Sequence, residues 1–290
     1  MSNAKDIRSQ IKSIKSTQKI TKAMQMVAAS KMRRSQDAML EGRPYVENIL
    51  RVIAHLMKAN SEVAHPFFNE TRDTIKKVGY IVVSTDRGLC GGLNINLFKK
   101  LLTHIEEWHD KGCDIEFSVF GRKGIAFINR INGHIMTSVD AYGDNPPLRE
   151  LIGGITAMID AYRAGDIDRV YLVGNRFVNT MTQEPHIVQF LPATVLADDK
   201  YAPNHAWTYE YEPDAAQILD KLAVRYLESV VKQAVAENIA CEMSARMVAM
   251  KSASDNAANL IGELELQYNK ARQAAITQEL TEIIGGAAAV

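Results

Sequence analysis

Along residues 214–284 the seam positions Ala240, Met243, Met247, Met250, Ser254, Ala257, Ile261, Leu264, Tyr268, Ala271 and Ala275 recur at alternating intervals of three and four. This is a heptad seam held for about five repeats, with one polar interruption at Ser254. No proline follows Pro213, and Gly262 is the only glycine between it and Gly285, so nothing in the stretch stops a helix. At about 1.5 Å per residue, one helix of this length would measure roughly 105 Å, several times the width of an ordinary domain. The pattern predicts a rod that needs a partner helix along its seam.

Residues 3–58 read as that partner. Ile7, Ile11 and Ile14 open a stripe that passes through Gln18, Thr21 and Gln25 before Ala28, Met32 and Met39. The stripe thins in the middle, where Ile20, Met24 and Val27 lie to one side, and Gly42 and Pro44 are expected to kink or interrupt the helix.

The period then changes. Residues 78–83 form a continuous apolar run, as expected of a parallel strand buried on both faces. Further strands are expected at 115–120, at 135–139 (a weaker one), at 170–173, and at 187–191 as an antiparallel edge. Helices are expected at 94–108, at 123–132, and from Pro146 and Pro147 through Tyr162. Strands alternating with helices of this length indicate an open, mostly parallel sheet.

The expected fold is α/β with long helices. The N- and C-terminal helices form a long antiparallel coiled coil, into which a Rossmann-like open α/β sheet domain is inserted. The expected boundaries are 1–58 and 214–290 for the shaft helices, 76–196 for the inserted domain, and 59–75 and 197–213 for the linkers. The C-terminal helix is the longer, so part of it is expected to extend beyond its partner.

Composition narrows the function classes. The chain has 290 residues, and 34 lysines and arginines balance 34 aspartates and glutamates, so net charge names no partner. No apolar run approaches the roughly 20 residues that span a bilayer. The N-terminus lacks the apolar core of a secretory signal, and although basic and amphipathic like a transit peptide it shows no cleavage site. Three cysteines, Cys90, Cys113 and Cys241, have no metal spacing and suit a reducing compartment. No carboxylate pair, histidine cluster or cysteine tetrad offers catalytic or metal chemistry, and no cofactor is expected. Asp198 and Asp199 read as solvated residues of the return linker.

The most enzyme-like segment is Ser84-Thr85-Asp86-Arg87-Gly88-Leu89-Cys90-Gly91-Gly92-Leu93-Asn94. Glycine-rich turns between strand and helix can cradle phosphate, and a thiol at a helix start can be a nucleophile. The segment fits neither the dinucleotide fingerprint nor the P-loop, and it reads as a tight turn around a small buried thiol.

The first 34 residues hold nine basic side chains, Lys5, Arg8, Lys12, Lys15, Lys19, Lys22, Lys31, Arg33 and Arg34, against Asp6 alone. So one-sided a charge points to an acidic partner, a protein surface or nucleic acid, although the stretch has no aromatic residues to stack bases. Past Glu282 the chain reads Ile-Ile-Gly-Gly-Ala-Ala-Ala-Val, without a charge. That end is either a frayed tail or a slim apolar tip for a narrow apolar collar.

Three ordered motifs carry a resemblance across essentially the whole chain. They are Ile20-Thr21-Lys22-Ala23-Met24 with Val27-Ala28-Ala29-Ser30-Lys31-Met32, the Ser84–Asn94 segment, and Ile276-Thr277-Gln278-Glu279-Leu280-Thr281-Glu282-Ile283-Ile284-Gly285-Gly286-Ala287. The sequence resembles the gamma subunits of F-type ATP synthases, most closely the proteobacterial type. The regulatory cysteine segment of the chloroplast form is missing, so thiol control of that kind is not expected.

The resemblance implies a non-catalytic rotating shaft that couples proton flow through the c-subunit ring to ATP synthesis or hydrolysis in the alpha/beta hexamer. It implies one copy per complex, with alpha, beta, epsilon and the c ring as partners and delta only indirectly. The place would be the cytoplasmic face of the bacterial inner membrane, as a peripheral protein. It points to Lys31, Arg33 and Arg34 as contacts to an acidic beta-subunit segment, and to Arg272 and Gln273 as hydrogen-bonding partners of the ring. Met24 and Arg246 match a coupling pair on facing helices, and Ile283, Ile284, Ala287 and Val290 fall in an apolar bearing tip. Two other readings stand beside it: an α/β enzyme with helical dimerisation arms, and a basic coiled-coil adaptor for nucleic acid.

Overall fold

The computed structural model describes residues 4–59, 65–69, 72, 74–193, 212 and 214–287. Asp198, Asp199 and Val290 lie outside the described residues, as does most of the expected return linker. The elements in chain order are α1 (Ala4–Ala59), α2 (Pro66–Asn69), β1 (Lys77–Val83), α3 (Leu93–His109), β2 (Asp114–Phe120), α4 (Arg122–Arg130), β3 (His134–Val139), α5 (Leu148–Ala164), β4 (Arg169–Phe177), β5 (Gln183–Leu191) and α6 (Ala215–Ala287). The chain divides into two compact units, Met1–Ala29 with Arg246–Val290, and Ser30–Ala245.

The first unit is the antiparallel pairing of the start of α1 with the far part of α6. Ile7, Ile11 and Ile261 are buried together, and Ile14, Leu264, Tyr268 and Ala271 pack around them. Thr21 and Ala28 on one helix, and Met250, Ser254 and Ala257 on the other, continue the buried seam. Ser254, the polar interruption, therefore lies on the seam and not beside it. Lys15 and Glu265 bridge the helices at 2.7 Å, but both side chains are half exposed. Such a pair contributes about 0.2–1 kcal/mol, whereas each fully buried isoleucine contributes about 1.5–3 kcal/mol, so the apolar seam holds the pair. From Arg272 to Ala287 every residue of α6 is exposed. The seam thus ends at Ala271, and Ala275, expected on it, faces solvent.

The second unit is built on a five-stranded sheet of order β3-β2-β1-β4-β5. β1 pairs parallel with β2 and β4, β2 parallel with β3, and β5 antiparallel with β4. Residues Val78 to Val83 are all buried, which explains the unbroken apolar run. Alternate residues serve two cores. Val78, Tyr80 and Val82 join Leu97, Leu101 and Ile128, while Ile81 and Val83 join Leu151, Ile155 and Met158. That second core also takes Ile49, Leu50 and Ile53 from α1, Phe67 and Phe68 from α2, and a row along α6.

Other expectations change: β5 begins at Gln183, four residues before its expected start, and the short helix α2 falls within the stretch expected as a linker. The interruption at Gly42 and Pro44 does not occur, because α1 runs through Pro44 as one helix. Pro44 has no N–H for the Leu40 carbonyl, and one residue away Gln233 of α6 donates its Nε2 to the Met39 carbonyl at 2.8 Å. β4 runs four residues past its expected end, to Phe177. Of its added residues, Gly174, Asn175 and Arg176 are not apolar, while Phe177 packs against Cys90, Leu93 and Cys241.

Candidate functional site

In an open α/β sheet, ligands bind outside the carboxyl ends of the strands, where the strand order reverses. Here that point lies between β1 and β4, and it receives the glycine-rich loop 84–92. The chain's own groups occupy it. Ser84 Oγ donates to the carbonyls of Phe120 (2.9 Å) and Gly121 (3.2 Å) and accepts the Gly124 N–H at 2.8 Å. A Cβ at Gly124 would lie 2.7 Å from that hydroxyl oxygen, so only glycine lets α4 approach so closely. Tyr142 donates its hydroxyl to the Ser84 carbonyl at 2.6 Å.

Asp86 Oδ1 accepts N–H groups from Arg122, at the start of α4, and from Ala141, both at 3.1 Å. The N-terminus of α4 thereby receives a carboxylate from within the chain, where a phosphate-binding loop would hold a ligand. Asn94 donates to Thr85 Oγ1 at 2.7 Å, and Thr85 Oγ1 donates to the Arg87 carbonyl at 2.7 Å. The loop is a knot that ties the ends of β1, β2 and β3 together.

α6 closes the crevice from outside. Cys90, Leu93 and Cys241 are buried as one cluster, with Phe177 and Ala245 against it. Asn175 and Asn238 meet in a buried hydrogen bond of 2.8 Å, and Glu237 accepts the Phe177 N–H at 3.0 Å. Burial pushes the Cys241 thiol well above its ordinary range, and the nearby Glu237 carboxylate adds to the effect. Neither buried thiol has the exposed, electropositive setting of a nucleophile. Among the described residues no group of three histidines, cysteines or carboxylates is placed to hold a metal ion.

The described residues named from sequence lie on the two long helices, and most of them are exposed. Met24 is half-buried and Arg246 is 8% exposed, and both belong to the paired-helix unit. In that unit Lys5, Arg8, Lys12, Lys15, Lys19 and Lys22 are exposed, as are Ile20, Met26 and Val27. Arg272, Gln273, Ile283, Ile284 and Ala287 are exposed along the end of α6 that lies beyond the buried seam. Arg33 and Arg34 belong to the other unit and are exposed, but Lys31 is ion-paired with Asp144, in the loop before α5. Asp144, Asn175, Glu237 and Asn238 were not singled out from sequence. Only Asn238 left a signal there, as a polar residue inside an apolar row.

A sealed α/β domain and a helical pair with an exposed, charged and apolar outer surface define a class of protein whose working surfaces face other chains. The family model described as ATP synthase matches residues 3–290. The chain is 62% identical to the ATP synthase gamma chain of Dichelobacter nodosus (strain VCS1703A), over 290 residues and the whole of both chains. It therefore belongs to the ATP synthase gamma-chain family. Among solved structures, a chain of the Euglena gracilis mitochondrial ATP synthase (OSCP/F1/c-ring, rotational state 3) superposes with a TM-score of 0.66. That match has 18% identity and covers 99% of this chain and 94% of that one. A chain of the Tetrahymena thermophila mitochondrial central stalk/c-ring structure gives 0.59 at 23% identity, covering 81% of this chain and 99% of that one. These two likenesses concern the fold. No described helix is long and apolar enough to cross a membrane.

Proposed function

We propose that this chain is the central rotating shaft of an F-type proton-translocating ATP synthase, itself without a catalytic centre, turning inside a hexamer of alpha and beta subunits. The observation that carries this reading is the identity of 62% with a gamma chain over the whole of both chains. The sealed crevice supports a mechanical role over the enzyme reading, because the place where this fold would hold a substrate is filled by α6.

A shaft without threefold symmetry presents a different face to each of three equivalent catalytic subunits. Differential contact is all it needs to bias each toward an open or a closed state. The residues that the resemblance points to take the following roles. Lys31, Arg33 and Arg34 meet acidic groups of beta, Arg272 and Gln273 hydrogen-bond the ring, and Met24 with Arg246 forms the coupling pair. Ile283, Ile284, Ala287 and Val290 form the bearing tip. The shaft helices are 1–58 and 214–290, the inserted domain is 76–196, and 59–75 and 197–213 are the linkers. The epsilon subunit and the c ring contact the chain directly and delta only indirectly, at the cytoplasmic face of a bacterial inner membrane.

Co-expression with the alpha and beta subunits tests the assignment. One copy of this chain is expected to elute with three alpha and three beta subunits, and the complex to hydrolyse ATP. Elution of the chain apart from an assembled hexamer would overturn it.

A further inference from the structure

Along α6 the residues Leu219, Ala223, Leu227, Val231, Val235, Ile239 and Met243 are spaced strictly by four, and none is more than 5% exposed. Such a row is a ridge inclined to the helix axis. After a slip of four residues, about 6 Å along the axis, its stretch from Leu227 to Met243 presents nearly the same apolar surface. Valine falls on valine and isoleucine on valine around Val231 and Val235, whereas at the other end of the row a slip sets a leucine on the place of Ala223, which it overfills. Between Leu227 and Met243 the apolar core therefore holds α6 against the domain but discriminates poorly between registers four residues apart, and its one discriminating step lies at Ala223.

Polar contacts from a single turn of α6 discriminate sharply. Asn238 is fully buried and accepts the Asn175 Nδ2 hydrogen bond at 2.8 Å. Glu237 accepts the Phe177 N–H, and Cys241 donates its thiol to the Asn175 carbonyl at 3.5 Å. A slip of one turn would bring Ala234 or Glu242 to the Asn175 amide. The first leaves both asparagines without each other, and the second sets a carboxylate in the amide's place. In coiled coils a single buried asparagine fixes register in this way, at a cost in stability. Cost is visible here too, since Asn175 Oδ1 accepts no hydrogen bond from the described residues.

We propose that Asn175 and Asn238 are positioning residues that set the register of α6 on the inserted domain, and that they act against stability. The inference concerns this chain alone and does not depend on its place in a larger complex.

The test uses the full chain with cysteines introduced at the exposed positions Arg176 and Lys221 and carrying spin labels, the buried native cysteines left in place. Double electron–electron resonance should give a single distance for the parent chain. Asn175→Leu with Asn238→Leu should add a second population displaced by about 6 Å, with a thermal midpoint at or above the parent's. Asn238→Leu alone orphans Asn175 and should melt below the double variant. A single unchanged distance in the double variant would overturn the proposal. So would a double variant that fails to fold, because the pair would then serve stability and not register.

Discussion

Ser84 shows how one short side chain can decide a local structure. Its hydroxyl serves two carbonyls and one N–H in a fully buried place, so Ser84→Ala strands the Gly124 N–H without a partner. A buried group left unpaired costs about 1–3 kcal/mol, and urea denaturation of that variant should show a loss of this size with an unchanged m-value. His104 illustrates a different residue-scale effect. Its Nδ1 pairs with the Tyr80 hydroxyl at 2.7 Å, and its ring meets Tyr171 edge-on. Burial lowers its pKa below 6.5, with opposing contributions from Glu107, which raises it, and Lys111, which lowers it. His65 and His186 are lowered in the same direction, chiefly by burial. The unfolded chain therefore takes up protons first. Stability should be level above pH 6.5 and fall as the pH drops from there toward the folded-state values. Replacing the pair together, Tyr80→Phe with His104→Leu, should make that acid loss shallower, and an identical slope in the two proteins would contradict the assignment. None of this was legible in the sequence, where Ser84 was one letter of a glycine-rich turn and the histidines were scattered.

At the scale of elements, the sequence was most legible where periodicity follows burial. The strands of the parallel sheet and the seam from Ala240 to Ala271 could be read because one repeating environment lies along each. Reading failed where the environment changes within an element. β4 continues from Gly174 through Asn175, which is hydrogen-bonded to Asn238 of α6, so an apolar run cannot mark its end. α1 passes Pro44 as one helix, with Gln233 of α6 docked on the adjoining turn. Neither fact is local. The pair Met24 and Arg246 lies on the two helices of one unit, and Arg246 is nearly buried there. Met24→Lys adds an ammonium to a pair already rich in exposed cations, and repulsion should strain the contact in some rotational states more than others. A partly buried charge can shift such a balance by about 1–3 kcal/mol, a severalfold change in rate. ATP hydrolysis is expected to survive while proton pumping per ATP falls, and Arg246→Cys is expected to restore part of the coupling. Strict additivity of the two changes would show that the residues do not communicate.

For the whole molecule, a balanced net charge conceals a concentration of nine basic residues in the first 34. The structure divides that group in a way composition cannot. Lys31 is paired with Asp144 inside the chain, the two side chains being 37% and 50% exposed. Arg33 and Arg34 are exposed. An exposed pair contributes about 0.2–1 kcal/mol, so Lys31→Glu does less by losing an attraction than by setting two carboxylates against each other. Reversing all three cations at once would thus mix an internal defect with the loss of an external contact. Arg33→Glu with Arg34→Glu, Lys31 kept, isolates the external part. In the assembled enzyme this variant should lower proton pumping per ATP severalfold at low salt. The difference from the parent should narrow as ionic strength rises past about 0.1 M, where the screening length is about 10 Å. Lys31→Glu should also lower pumping. Adding Asp144→Lys to it rebuilds the internal pair with its signs exchanged, and that double variant should recover thermal stability while pumping recovers only in part. Full recovery of pumping would remove Lys31 from the surface that meets the partner. No effect of the Arg33 and Arg34 reversal at any salt would remove the basic face from the mechanism altogether.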